Sequence, residues 1–196
     1  MIKTFSFFEG RNSFVDVWEP NKEMIVLGRF SKESDIKKAA YDDNLQIIRR
    51  VGGGGTVYLG KGVLIIDIGI KEEKHKSVPY YFNLFNSSII NALNSLKLNV
   101  FTNEDFFDLR IADKKIGGVS LAIRKDMVLY GASIIIRESV IDKITKYLNH
   151  PNKEPEYRKA REHSDFLTCL EVFSVNQIDA LQKLNNYLSK KMRELT

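Results

Sequence analysis

The stretch Arg49-Arg50-Val51-Gly52-Gly53-Gly54-Gly55-Thr56-Val57-Tyr58 carries the strongest chemical signal in the sequence. Glycines have no Cβ, so a ligand can lie directly on such a backbone and turn its anionic oxygens toward exposed N–H groups. Two adjacent arginines at the mouth of the loop supply fixed positive charge for a carboxylate or a phosphate. The plainer reading is a flexible turn between two strands with surface arginines beside it. No Gly-Lys-Ser/Thr closes the loop, so it is not a Walker loop. A strand rather than a helix is expected to follow, so it is not a dinucleotide fingerprint either.

A second candidate is Ala112-Asp113-Lys114-Lys115-Ile116-Gly117-Gly118-Val119-Ser120. A lysine beside glycines reaches a bound phosphate or carbonyl unobstructed, and its point charge suits the negative charge that develops in acyl transfer. Taken alone, the same residues also fit an ordinary solvated turn. The single thiol, Cys169, sits in Ser164-Asp165-Phe166-Leu167-Thr168-Cys169-Leu170, where a buried structural role is expected over a nucleophilic one.

Elements to hold these residues follow from periodicity. Strands are expected at residues 24–29 and 46–50, then as a pair at 56–59 and 63–70 turning at Gly60-Lys61-Gly62. Residues 34–41 read as a short helix. Apolar residues spaced by three and four predict an amphipathic helix over 80–96, after Pro79. Residues 108–112, 118–123 and 127–136 suggest an antiparallel meander, with Arg124-Lys125-Asp126 as its last turn. Helices at 139–148 and 175–192 follow. The expected class is α+β, a mainly antiparallel sheet packed by helices, in a single domain over residues 1–196.

Composition narrows the function. With 196 residues, one α/β domain with a sizeable core is expected. No apolar run approaches the roughly 20 residues of a membrane span, so a soluble protein without a membrane partner is expected. The opening Met1-Ile2-Lys3-Thr4-Phe5 lacks a secretion signal's apolar core, and one cysteine excludes an internal disulfide or a cysteine-based zinc site. Both point to the cytoplasm. The three histidines, His75, His150 and His163, are scattered, and no metal site is expected. The formal charge of +5 comes from basic residues interspersed with acids, which favours a solvated surface and an acidic partner or nucleotide over nucleic acid.

The order of motifs resembles the lipoate-protein ligase and octanoyltransferase family, within the wider biotin/lipoate ligase superfamily. A strand ending in Gly-Arg comes first, then Arg-Arg-x-x-Gly-Gly-Gly-x-Val-Tyr, a helix, Asp-Leu and Lys-Ile-x-Gly. The resemblance covers about residues 15–170 and implies a biotin/lipoate ligase-like catalytic domain. It puts Arg50, Gly53, Gly54 and Gly55 at an acyl-adenylate and gives Lys115 the catalytic place, holding the acyl carbonyl and phosphate. It adds Val57, Asp108, Gly118, Tyr130 and Gly131 to the substrate and nucleotide set. The implied function is ATP-dependent activation of lipoate or octanoate, with Mg²⁺ escorting ATP, and transfer to the lysine of a lipoyl carrier domain. That carrier is a 2-oxoacid dehydrogenase E2 or glycine cleavage H protein. Alternatives left open are acyl transfer between carriers and a non-catalytic lipoyl-binding homologue.

The chain departs from the family pattern at Leu59, Val63, Phe107 and Tyr130, where histidine, asparagine, asparagine and histidine are usual. Leu64-Ile65-Ile66 with Val57 suits either an acyl tunnel or plain core. No C-terminal accessory domain is expected within the chain, which allows for a separate accessory subunit.

Overall fold

The computed structural model describes residues 12–103 and 105–195. The opening segment read above for a secretion signal lies outside the described residues.

The chain runs β1 (Ser13–Trp18), β2 (Met24–Leu27), α1 (Lys38–Asp42), β3 (Gln46–Arg49), β4 (Val57–Leu59), β5 (Val63–Lys71) and α2 (Val78–Asn94). It continues β6 (Val100–Thr102), β7 (Leu109–Ile111), β8 (Lys114–Arg124), β9 (Met127–Ile135), α3 (Ser139–Tyr147), α4 (His163–Phe166) and α5 (Gln177–Leu195). A six-stranded sheet has the order β1-β5-β9-β8-β7-β6, and a three-stranded sheet has the order β3-β2-β4. Every pair in the larger sheet is antiparallel, and in the smaller one β2 and β3 are parallel. The expected α+β class holds.

β5 is a near-continuous apolar run because both of its faces are covered. Leu64, Ile66, Ile68 and Ile70 pack beneath α2 and α5, together with Phe85, Ile89 and Leu188. Val63 and Ile65 face the other way, into a second core with Ile25, Tyr58 and Leu59 of the small sheet and Phe166. Strand alternation therefore splits the run read as an acyl tunnel: Leu64 and Ile66 belong to the helix-covered core, Ile65 and Val57 to the inter-sheet side. α2 starts where Ser77 caps the Tyr80 N–H at 3.3 Å, with proline in its first turn.

Two expectations are corrected. The strands around Gly60-Lys61-Gly62 do not pair with each other: β4 pairs with β2, and β5 with β1 and β9, so the chain changes sheets there. The helix expected at 34–41 is broken at Ile36, which makes an antiparallel bridge to Leu148. Only a short 3-10 turn, Glu33–Asp35, precedes that break. Strands β1 and β6 were not anticipated. The meander β7-β8-β9 is present, but Lys114 and Lys115 lie in β8 itself, and the turn falls at Ala112, whose φ is 51°.

No helix among the described residues is long and apolar enough to cross a membrane.

Candidate functional site

The glycine loop joins β3 to β4 and folds over β8. A Cβ on Gly52 would stand 3.3 Å from the Ser120 side chain, and one on Gly54 would stand 3.2 Å from the Val119 carbonyl. Gly54 has φ +87°, a left-handed conformation that glycine adopts without strain. The N–H of Gly53 donates to the Leu121 carbonyl at 3.2 Å. Gly54 and Gly55 are exposed, and their N–H groups find no acceptor among the described residues. The crest of the loop thus carries two N–H groups with no acceptor among the described residues, a feature that suits an anion.

The paired arginines have a different role from the one their charge suggested. Arg50 is buried and donates to the carbonyls of Gly53 at 2.7 Å, Gly55 at 2.8 Å and Val26 at 3.3 Å. Burial pushes its guanidinium down to about 10, which leaves it charged at neutral pH. Arg49 donates to the carbonyls of Gly28 at 2.8 Å and Ser31 at 2.7 Å. Arg50 therefore braces the loop from within. Arg50→Lys cannot reproduce the fork. It is expected to cost about 1–3 kcal/mol, chiefly by stranding the buried Val26 carbonyl and loosening the loop, read as a fall in the urea midpoint.

Lys115 owes its aim to a β-bulge. Arg110 pairs with Lys115 but Leu109 pairs with Gly117, so Ile116 is an extra residue in β8. Ile116 enters the helix-covered core, while Lys115 and Gly118 share the opposite face. A Cβ on Gly118 would lie 3.3 Å from Lys115 Nζ, so glycine leaves the ammonium the most room there. Val119, whose carbonyl lies beside Gly54, is the next residue along β8, so Gly54 and Lys115 flank the same stretch of that strand.

Lys115 Nζ is 2.7 Å from Asp108 Oδ1, with the lysine side chain 27% exposed and the aspartate 5%. Tyr157 donates to the other oxygen, Asp108 Oδ2, at 2.8 Å. Burial first, and then Asp108, push the Tyr157 phenol up, so it stays a proton donor. Asp108 is held from behind by its own N–H, which donates to Asn103 Oδ1 at 3.0 Å.

Gly131 pairs with Ser120 beneath the loop, and Gly118 pairs with Ser133, so both glycines lie on the site face. Val57 follows the loop in β4 and pairs with Val26. Tyr130 does not join them. As the neighbour of Gly131 it points to the other face, where its hydroxyl donates to Asn86 of α2 at 2.7 Å and its ring packs on Phe85. Phe107 stacks on Phe82 of α2 at 4.5 Å.

Tyr157 and His163, near Lys115, were not singled out as site residues. His163 is buried and is pushed down to about 4, first by burial and then by the neighbouring Arg158, His150, Lys37 and Lys115. The unfolded chain takes up this proton near 6.5 and the folded one only near 4. Stability is therefore fully present above about pH 6.5 and is lost as the pH falls toward 4, by an amount of order 2 kcal/mol. His163→Gln is expected to flatten that loss in urea titrations at pH 7.5 and 4.5.

Cys169 is fully buried in the inter-sheet core, and burial pushes its thiol up. It is not presented as a nucleophile. Magnesium does not fit the protein groups at this site. Both Asp108 oxygens are engaged, and among the described residues no group of three or more His, Cys, Asp or Glu side chains could hold a metal.

The two sheets, the helices over them and the glycine loop make up one α+β domain. The family profile described as the lipoyl protein ligase A/B catalytic domain matches residues 8–190, and the chain belongs to that family. It is 26% identical over 187 residues to a protein named inactive lipoate–protein ligase 2 of Plasmodium falciparum (isolate 3D7), a match covering 78% of this chain and 48% of that protein. It is also 26% identical over 134 residues to lipoate–protein ligase 2 of Staphylococcus aureus (strain Mu50 / ATCC 700699), covering 66% of this chain and 38% of that one. The chain thus spans about half or less of these curated relatives.

A crystal structure of lipoate-protein ligase A bound with ATP has a TM-score of 0.77 and 18% identity, over 94% of this chain and 74% of that one. A bipartite lipoate protein ligase of Thermoplasma acidophilum, described with its E2 lipoyl domain, has a TM-score of 0.78 and 20% identity, over 94% and 72%. These likenesses establish the fold.

Proposed function

We propose that this chain activates lipoate or octanoate with ATP and passes the acyl group to the lysine of a lipoyl carrier domain. The observation that carries the reading is that Lys115 and the exposed Gly54, whose N–H finds no acceptor among the described residues, both lie against the Gly118-Val119 stretch of β8. Family membership, and a fold-mate described with bound ATP, support it.

In the first step a carboxylate oxygen of the acid attacks the α-phosphorus of ATP, the bond to the β-phosphate oxygen breaks, and pyrophosphate leaves. The outward N–H groups donate to phosphate oxygens, and Lys115 offsets the charge shared by phosphate and acyl oxygen. In the second step the carrier's lysine amine attacks the acyl carbon. The tetrahedral oxyanion gathers its charge beside Lys115 and then expels AMP, the amine losing a proton as the amide forms. Mg²⁺ would travel on the nucleotide's own phosphates, and no step here is assigned to it.

A basic surface favours an acidic carrier, and the bipartite fold-mate makes a separate accessory subunit part of the proposal. A second reading, binding of lipoyl compounds without turnover, is favoured by the relative named as inactive and by the apolar Leu59 and Val63, both buried in core.

The test incubates the protein with lipoate, ATP, Mg²⁺ and a lipoyl carrier domain, with ATP-pyrophosphate exchange read alongside the intact mass of the carrier. An ATP-dependent adduct is expected. An adduct formed only from octanoyl-carrier, and lost in Cys169→Ser, would replace the ligase with a transferase; silence in both assays would favour the binder.

A further inference from the structure

Tyr157 lies in a charged stretch without a recognisable motif, 49 residues from the aspartate it touches. Its ring is fixed independently of the Lys115 ion pair. The Arg110 guanidinium stacks over it at 3.7 Å from the ring centre, and Phe166 packs against it at 5.1 Å. The hydroxyl is therefore delivered to Asp108 Oδ2 by packing, whether or not Lys115 is engaged elsewhere.

A buried carboxylate is strongly disfavoured once its partners are removed. If Lys115 were the only side chain holding Asp108, it could not turn toward a ligand without leaving that charge bare. Tyr157 removes the conflict, since Asp108 keeps a donor while the ammonium moves the short distance over Gly118.

We propose that Tyr157 is a positioning residue whose hydroxyl, by satisfying Asp108, releases Lys115 to serve an anionic oxygen of the ligand. The identity of that ligand rests on the ligase reading, whereas the availability of the Lys115 amine is a property of the free protein.

Tyr157→Phe keeps the ring and its packing and removes only the donor. Asp108 then draws more fully on Lys115. The experiment measures acetylation of Lys115 by acetic anhydride, as peptide mass ratios against Lys38, whose side chain is 89% exposed. Lys115 in Tyr157→Phe is expected to react at least about threefold more slowly, and the same change made in an Asp108→Asn background is expected to have no effect, as a double-mutant cycle requires. Where the wild type forms adenylate, KM for the acid should rise about tenfold in Tyr157→Phe with kcat nearly unchanged.

Unchanged reactivity of Lys115 would overturn the proposal, as would an equal effect in the Asp108→Asn background. A parallel rise at Lys115 and at the partly buried Lys37 would do so too, because it would mean that Tyr157 only supports local folding. If wild type makes no adenylate, the ligase reading fails alone, and the acetylation ratios still decide the role of Tyr157.

Discussion

Lys115→Ala is expected to lower the rate of acyl-adenylate formation by about 10²–10³-fold, the range for removing a preorganised donor from developing charge. The glycine N–H groups can still dock phosphate oxygens, so nucleotide affinity should fall much less than rate. The same substitution also strips Asp108 of its ion pair. Tyr157 still holds the other oxygen, and the space vacated by the partly exposed lysine opens the carboxylate to water, so the stability cost should be about 1–3 kcal/mol rather than the full penalty of a bare buried charge.

The two effects separate in the double variant Lys115→Ala/Asp108→Asn. Neutralising the carboxylate should restore most of the urea midpoint and none of the activity. Rates from pyrophosphate exchange and midpoints from urea melts on the same three proteins check both halves. A double variant that recovered activity would remove Lys115 from the chemistry and leave it a structural partner of Asp108.

Much of this site was legible because its signals are local. Glycines in a row, and a lysine beside Gly117 and Gly118, advertise a backbone that a ligand can approach, and both lie against the Gly118-Val119 stretch of β8. What was not legible depends on partners distant in the chain. The charge of Arg50 is visible in the sequence, but its acceptors are carbonyls of its own loop and of β2, so it became a brace.

Tyr130 illustrates strand parity. Adjacent residues of β9 face opposite ways, so Tyr130 and Gly131 could not both line one site, and the choice fell to the glycine. The pairing of β4 with β2 instead of β5 has a similar origin. Gly60-Lys61-Gly62 looks like a hairpin turn, yet β5 is apolar at successive positions, the mark of a strand covered on both faces inside a larger sheet. Tyr157 had no local signal, because its meaning lies entirely in reaching Asp108.

Gly53→Ala is expected to leave the fold intact and to weaken adenylate binding by about tenfold or more, a loss of at least about 1.4 kcal/mol. A Cβ at Gly53 meets nothing within 4 Å, and its φ lies outside the left-handed range, so alanine adds no clash and no strain to the free protein. The methyl would instead occupy the open side of the loop, where the ligand is proposed to lie against the backbone. Gly28→Ala is the opposite case. Its Cβ would fall 1.9 Å from the Gly54 carbonyl oxygen, so the loop must shift and the fold itself should lose about 1–3 kcal/mol. Isothermal titration with a non-hydrolysable acyl-adenylate analogue, paired with thermal melts, distinguishes them: Gly53→Ala should change affinity at constant melting temperature, and Gly28→Ala should change both. Full affinity in Gly53→Ala would mean that the ligand does not lie on the loop's open side, and the outward N–H groups of Gly54 and Gly55 would then need another partner.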